Sequence, residues 1–73
     1  MKNNNNKDKV KIEKIMTRTE AANFLRELAN QVEAGTVLIS DTKVELPNSF
    51  ECEFKFEVED QEKELEVEFS WKE

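Results

Sequence analysis

Carboxylates carry most of the chemistry open to this chain. In "FECEFKFEVEDQEKELEVEFSWKE", Phe50 to Glu73, acids fill nearly every second position, and a lone Cys52 and a lone Trp71 stand among them. Carboxylates act as general acid and base when a concave pocket drives their pKa values apart. They hold hard cations when a loop wraps enough oxygens around the ion. Lined along an open face, they attract a basic partner. The chain has no histidine, and no Gly-rich phosphate loop, metal-spaced Cys/His set or G-x-S-x-G stretch accompanies the acids. A catalytic role is therefore not expected. Calcium asks for about six to eight oxygens, and a flat row of glutamates offers a poor cage, so weak divalent-cation binding is the most that metal chemistry leads one to expect. No cofactor site is expected either.

Cys52 shares the parity of the apolar residues around it, which reads as a buried, inert thiol, because a reactive one needs an activating and accessible setting. Trp71 has the parity of Val67 and Phe69. It reads as a rim residue that closes one end of the core, with an exposed aromatic anchor for a partner as the alternative.

Composition narrows the partners. The net charge is −6, with 38% charged and 37% hydrophobic residues. An acidic domain disfavours nucleic acid and anionic membranes. No apolar run approaches the roughly 20 residues needed to span a bilayer, and "MKNNNNKDK" has no apolar core of a signal peptide, so the expected location is cytoplasmic. The charge is unevenly spread. Residues 1–18 carry six basic and two acidic side chains, a balance of +4, while residues 51–73 carry three basic and ten acidic ones, a balance of −7.

The 73 residues make a single domain. Residues 1–8, with four consecutive asparagines, read as a disordered tail, and residues 9–73 as the domain. "KVKIEKIM" alternates at Val10 and Ile12 and predicts a half-buried strand over Lys9 to Met16. In "TRTEAANFLRELANQVEAG", Thr17 and Glu20 have the spacing of a capping box. Ala21, Phe24, Leu25, Leu28, Ala29 and Val32 recur at helical spacing, and Gly35 falls where a helix C-cap needs a left-handed residue. "TVLIS" predicts a short strand. "DTKVELPNS" predicts a turn near Asp41, a strand through Val44 and Leu46, and a stop at Pro47.

The last stretch predicts a hairpin. Phe50, Cys52, Phe54, Phe56 and Val58 are even-numbered, and Leu65, Val67, Phe69 and Trp71 are odd-numbered, so each set occupies one face of its strand. A turn centred on Gln61-Glu62 puts both sets on the same side, with Val58 facing Leu65, Phe56 facing Val67, Phe54 facing Phe69 and Cys52 facing Trp71. The other side then pairs Glu57 with Glu66, Glu59 with Glu64, Lys55 with Glu68 and Lys72 with Glu51. The resulting fold is α+β in two layers. An antiparallel sheet of about five strands is covered on one face by a single helix, in the order β-α-β-β-β-β. Phe50, Phe54, Phe56 and Phe69 meet Phe24, Leu25, Leu28 and Val32 in its core. Lys9 and Lys11 of the first strand are placed to relieve Glu66 or Glu68.

The segments "TRTEAANFLRELANQVEAGTV" and "ELEVEFSW", in this order, resemble the amphi-Trp domain family, small prokaryotic proteins and domains named for an amphipathic C-terminal stretch ending in tryptophan. The likeness runs from about Val10 to Trp71. It implies the fold just described and brings no activity, cofactor or site residue with it. The residues alone favour a non-catalytic interaction or accessory module. Its candidate partner surface is Glu51, Glu53, Glu57, Glu66 and Glu68, with Trp71 at the rim, and the expected partner is a basic protein. The rival readings are a weak cation-binding protein using the same acids, and a homodimer formed through an open strand edge. The chain is expected to be a monomer or a weak homodimer.

Overall fold

The computed structural model describes residues 9–72; the segment read as a disordered tail, residues 1–8, lies outside the described residues. One helix, α1 (Arg18–Ala34), is followed by four strands: β1 (Thr36–Ile39), β2 (Thr42–Glu45), β3 (Glu51–Glu59) and β4 (Glu62–Ser70). The fold is α+β.

Both helix ends form as the residues dictate. The Thr17 hydroxyl accepts from the Glu20 amide at 3.1 Å, and the Glu20 carboxylate accepts from the Thr17 amide at 3.0 Å. This reciprocal pair satisfies two amides that the first turn leaves without partners. At the other end Gly35 takes φ of 91°, and its N–H donates to the Gln31 and Val32 carbonyls. A side chain at Gly35 would meet no neighbouring atom, so glycine is needed there for backbone freedom and not for space.

The strands differ from the expected single sheet. They form two separate antiparallel pairs, β1 with β2 and β3 with β4. The segment from Lys9 to Met16 contains no strand. Val10 and Ile12 instead lie beside Phe24, Leu28, Val37 and Leu38, across the helix and β1. Val10 and Ile12 remain 42% and 55% exposed, so the half-buried strand that their alternation predicts does not form: a strand needs a ladder partner, and this segment has none among the described residues. The expected fifth strand is thereby lost, and so is the relief of Glu66 or Glu68 by Lys9 and Lys11. Lys11 pairs instead with its near neighbour Glu13 at 3.8 Å.

α1 and the short hairpin are tied together. The Leu38 N–H of β1 donates to the Gln31 carboxamide oxygen on the helix at 2.8 Å. The Leu46 N–H donates to the Gly35 carbonyl at 2.9 Å, which extends the β1–β2 ladder just short of Pro47. Val37, enclosed between these elements, is the one buried hydrophobic residue among those described.

Both hairpins turn through two residues, Ser40-Asp41 and Asp60-Gln61. The first turn residue has positive φ in each, 56° at Ser40 and 55° at Asp60, as a type II′ hairpin turn asks. The second turn falls one residue earlier than the expected Gln61-Glu62, which shifts the pairing of β3 with β4 by two residues. Cys52 faces Phe69, Phe54 faces Val67, Phe56 faces Leu65, and Val58 faces Lys63. A shift of two keeps parity, so both apolar rows still share one side, whereas a shift of one would have separated them.

Cys52 is exposed, against the expectation of a buried thiol, and Phe54 and Phe56 remain 69% and 62% exposed. The reason is distance: no Cα of β3 or β4 comes within 8 Å of α1, β1 or β2. The helix stripe covers β1 first, and it meets the long hairpin only across an open cleft.

Two expectations follow from the caps and turns. Gly35→Ala lowers unfolding stability by about 1 kcal/mol, since alanine resists a left-handed C-cap; urea denaturation followed by helical circular dichroism measures it. Asp60→Gly raises stability by about 1 kcal/mol in the same assay by removing the left-handed strain. An unchanged midpoint would place the turn in another conformation.

Candidate functional site

The outward side of the long hairpin is built by the same alternation that gathers its apolar rows. Odd-numbered residues of β3 and even-numbered residues of β4 face each other across it. The register pairs Glu51 with Ser70, Glu53 with Glu68, Lys55 with Glu66, Glu57 with Glu64, and Glu59 with Glu62. Eight glutamates and one lysine therefore occupy one surface, all of them exposed. The apolar rows, Phe54 and Phe56 beside Val67 and Leu65, lie on the reverse side.

Of the sequence-derived candidates, Glu51, Glu53, Glu57, Glu66 and Glu68 come together on this surface. Trp71 does not. It follows β4 on the apolar side, half-buried, with its ring 6.0 Å from that of Phe50, which in turn lies 4.9 Å from Phe69. The tilted stack of three rings closes one end of the hairpin's apolar side, as expected of a rim residue. Glu59, Glu62 and Glu64 complete the acidic surface. A turn centred on Gln61-Glu62 would hold Glu62 in the turn; the turn at Asp60-Gln61 makes it a paired strand residue.

The charge pairing is less balanced than the expected register allowed. Three like-charge pairs oppose directly, Glu53 with Glu68, Glu57 with Glu64 and Glu59 with Glu62, and such pairs destabilise a ladder. Lys55 is the one cation among them and reaches Glu66, not Glu68, at 3.6 Å. Glu51 faces Ser70 and not Lys72. The Glu66 carboxylate first, then Glu57 and Glu53, hold the Lys55 ammonium above its usual pKa of 10.5. At the turn end, Glu57, Glu59, Glu62, Lys63 and Glu64 line a shallow depression of about 200 Å³. Among the described residues, no group of three or more His, Cys, Asp or Glu is spaced to hold a metal ion. No helix among them is long and apolar enough to cross a membrane.

On the reverse side, a cleft of about 490 Å³ separates the hairpin from the rest. Leu25, Leu28 and Val32 of the helix line one wall, and Leu65, Val67 and Phe69 of β4 line the other.

Helix, short hairpin, and a long amphipathic hairpin ending at a tryptophan define a small α+β domain with one acidic and one apolar hairpin face. The chain belongs to the Amphi-Trp domain family, which matches it over residues 2–73, almost its whole length. No curated protein and no solved structure matches it.

Lys55 provides a test of the electrostatics. Its pKa is raised on folding, so its charge stabilises the fold fully below pH 10.5 and progressively less as pH climbs through the raised value. Wild type is expected to exceed Lys55→Gln in stability at neutral pH, with the gap closing in alkaline solution. Denaturation across that range checks it, and a gap independent of pH would show that the ammonium charge is not responsible.

Proposed function

We propose that this domain is a non-catalytic protein-interaction module that docks a basic partner on the acidic face of its long hairpin. The observation that supports this most directly is the opposition of Glu53 with Glu68, Glu57 with Glu64 and Glu59 with Glu62 on one exposed surface. A solubilising surface works best with both signs interspersed. Here like charges stand across from each other with a single lysine between them, and a basic partner would relieve their repulsion. The complementary field would also speed its encounter with the partner. Weak divalent-cation binding by the same acids is the second reading. It draws on the opposition of Glu59 with Glu62 at the turn-end depression; with Lys63 in the same lining and no three of the described acids spaced to hold an ion, the expected binding is weak.

Capture from a lysate at low and high salt, with Glu57→Lys/Glu66→Lys as control, separates these readings. A specific partner that is retained at low salt, released at high salt and absent from the double variant is the expected result. No partner that differs between wild type and variant would reduce the face to a means of keeping the domain in solution. Calorimetry with calcium alone tests the second reading, for which the expected signal is weak and is lost in the double variant.

A further inference from the structure

The monomer leaves an apolar surface that its own elements do not cover. Phe54, Phe56, Val58, Leu65 and Val67 are 55–69% exposed on the inner side of the long hairpin. Phe24 and Leu25 on the helix, bordering the same cleft, are 51% and 56% exposed. A two-stranded hairpin alone in water is marginally stable at best, and a domain of about 60 residues ordinarily buries about 60% of its unfolded surface. Here Val37 alone is buried among the described residues.

We infer that a second copy of this chain covers this face, in a two-fold symmetric dimer. Three observations point to the same partner. First, the face carries both halves of a self-complementary contact. The β3 row, Phe54 and Phe56, projects beside the cleft without lining it, while the helix and β4 form an apolar cleft of about 490 Å³. A two-fold axis places the β3 row of each copy in the cleft of the other, and this reciprocity is the defining property of an isologous interface. Second, the area suffices. A phenylalanine buries about 150–250 Å² when fully enclosed, and 51–69% of Phe24, Phe54 and Phe56 remains to be covered. With the neighbouring valines and leucines, the face approaches the roughly 800 Å² per partner of a standard stable interface. Third, charge permits it. Each chain carries −6 overall, but the hairpin's glutamates lie on the reverse side, so two copies meet with their acidic faces as far apart as the geometry allows. Lys63, opposite Val58 at the turn end, is the charged member of the inner rows, and its long stem lets the ammonium reach water at the margin. This contact is through the hairpin face, not through a strand edge, and it is independent of any partner on the acidic face.

Sedimentation equilibrium of the full chain over a wide concentration range tests the inference. The expected result is a species of twice the 8.6 kDa chain mass that dissociates on dilution. Phe56→Glu should weaken it by about tenfold or more, as loss of a central aromatic anchor typically does, while Glu57→Lys/Glu66→Lys leaves it in place. Because Phe56→Glu could also disturb folding, the wild-type protein supplies a second readout. In an equimolar mixture of isotope-labelled and unlabelled chains, intermolecular NMR contacts should run from the Phe54 and Phe56 rings to Leu25, Leu28 or Val67. A monomer at all concentrations would overturn the inference, leaving the face to the chain's own helix or to a different protein. A dimer that survives Phe56→Glu without these ring contacts, or one lost with the acidic-face variant, would also overturn it by moving the interface elsewhere.

Discussion

Side chains on a β-strand alternate from one face to the other, and the long hairpin of this domain is organised by that constraint. Two nine-residue strands carry apolar residues at one parity and acids at the other. Pairing them in any register that preserves parity makes a ribbon with an oily side and a charged side. The consequences are separable. The oily side needs something to cover it, and the charged side has little among the described residues to neutralise it. Lys55 is the single cation on that surface, and its pKa is raised by the glutamates around it.

Turn length acts within that constraint. Asp60-Gln61 closes the hairpin in two residues, and the positive φ at Asp60 is strain accepted for compactness. A turn one residue further along, at Gln61-Glu62, would have left the faces unchanged but would have given Lys55 to Glu68 and set Glu59 opposite Glu64 in place of Glu62. Register thus changes the electrostatics of the outer face without touching the composition of the inner one.

The single helix has one apolar stripe and two surfaces that could use it. It packs on β1, encloses Val37, and its Gln31 side chain holds the Leu38 amide of that strand. These local contacts span few residues, so closing them loses little chain entropy. The long hairpin joins through the segment after Pro47 and stands across an apolar cleft from the helix. The same sequence therefore yields a tight local unit and an amphipathic ribbon with an open face.

Local features were legible in the sequence because their causes are local. Thr17, Glu20 and Gly35 mark the helix ends by hydrogen-bonding rules that act within a few residues. Pro47 marks a strand limit by lacking an N–H, and the parity of Phe54, Phe56, Leu65 and Val67 defines the hairpin faces. The acids Glu51, Glu53, Glu57, Glu66 and Glu68 were legible as one surface for the same reason. Tertiary structure decided what depends on a partner distant in the chain. It withheld a ladder from Lys9 to Met16, divided the strands into two pairs, and set Glu62 opposite Glu59. It also left Cys52 in solvent, whereas the place of Trp71 on the apolar side was already given by its parity with Val67 and Phe69. Alternation states that a residue has an inside; whether anything fills that inside depends on where the rest of the chain, or a second chain, comes to lie.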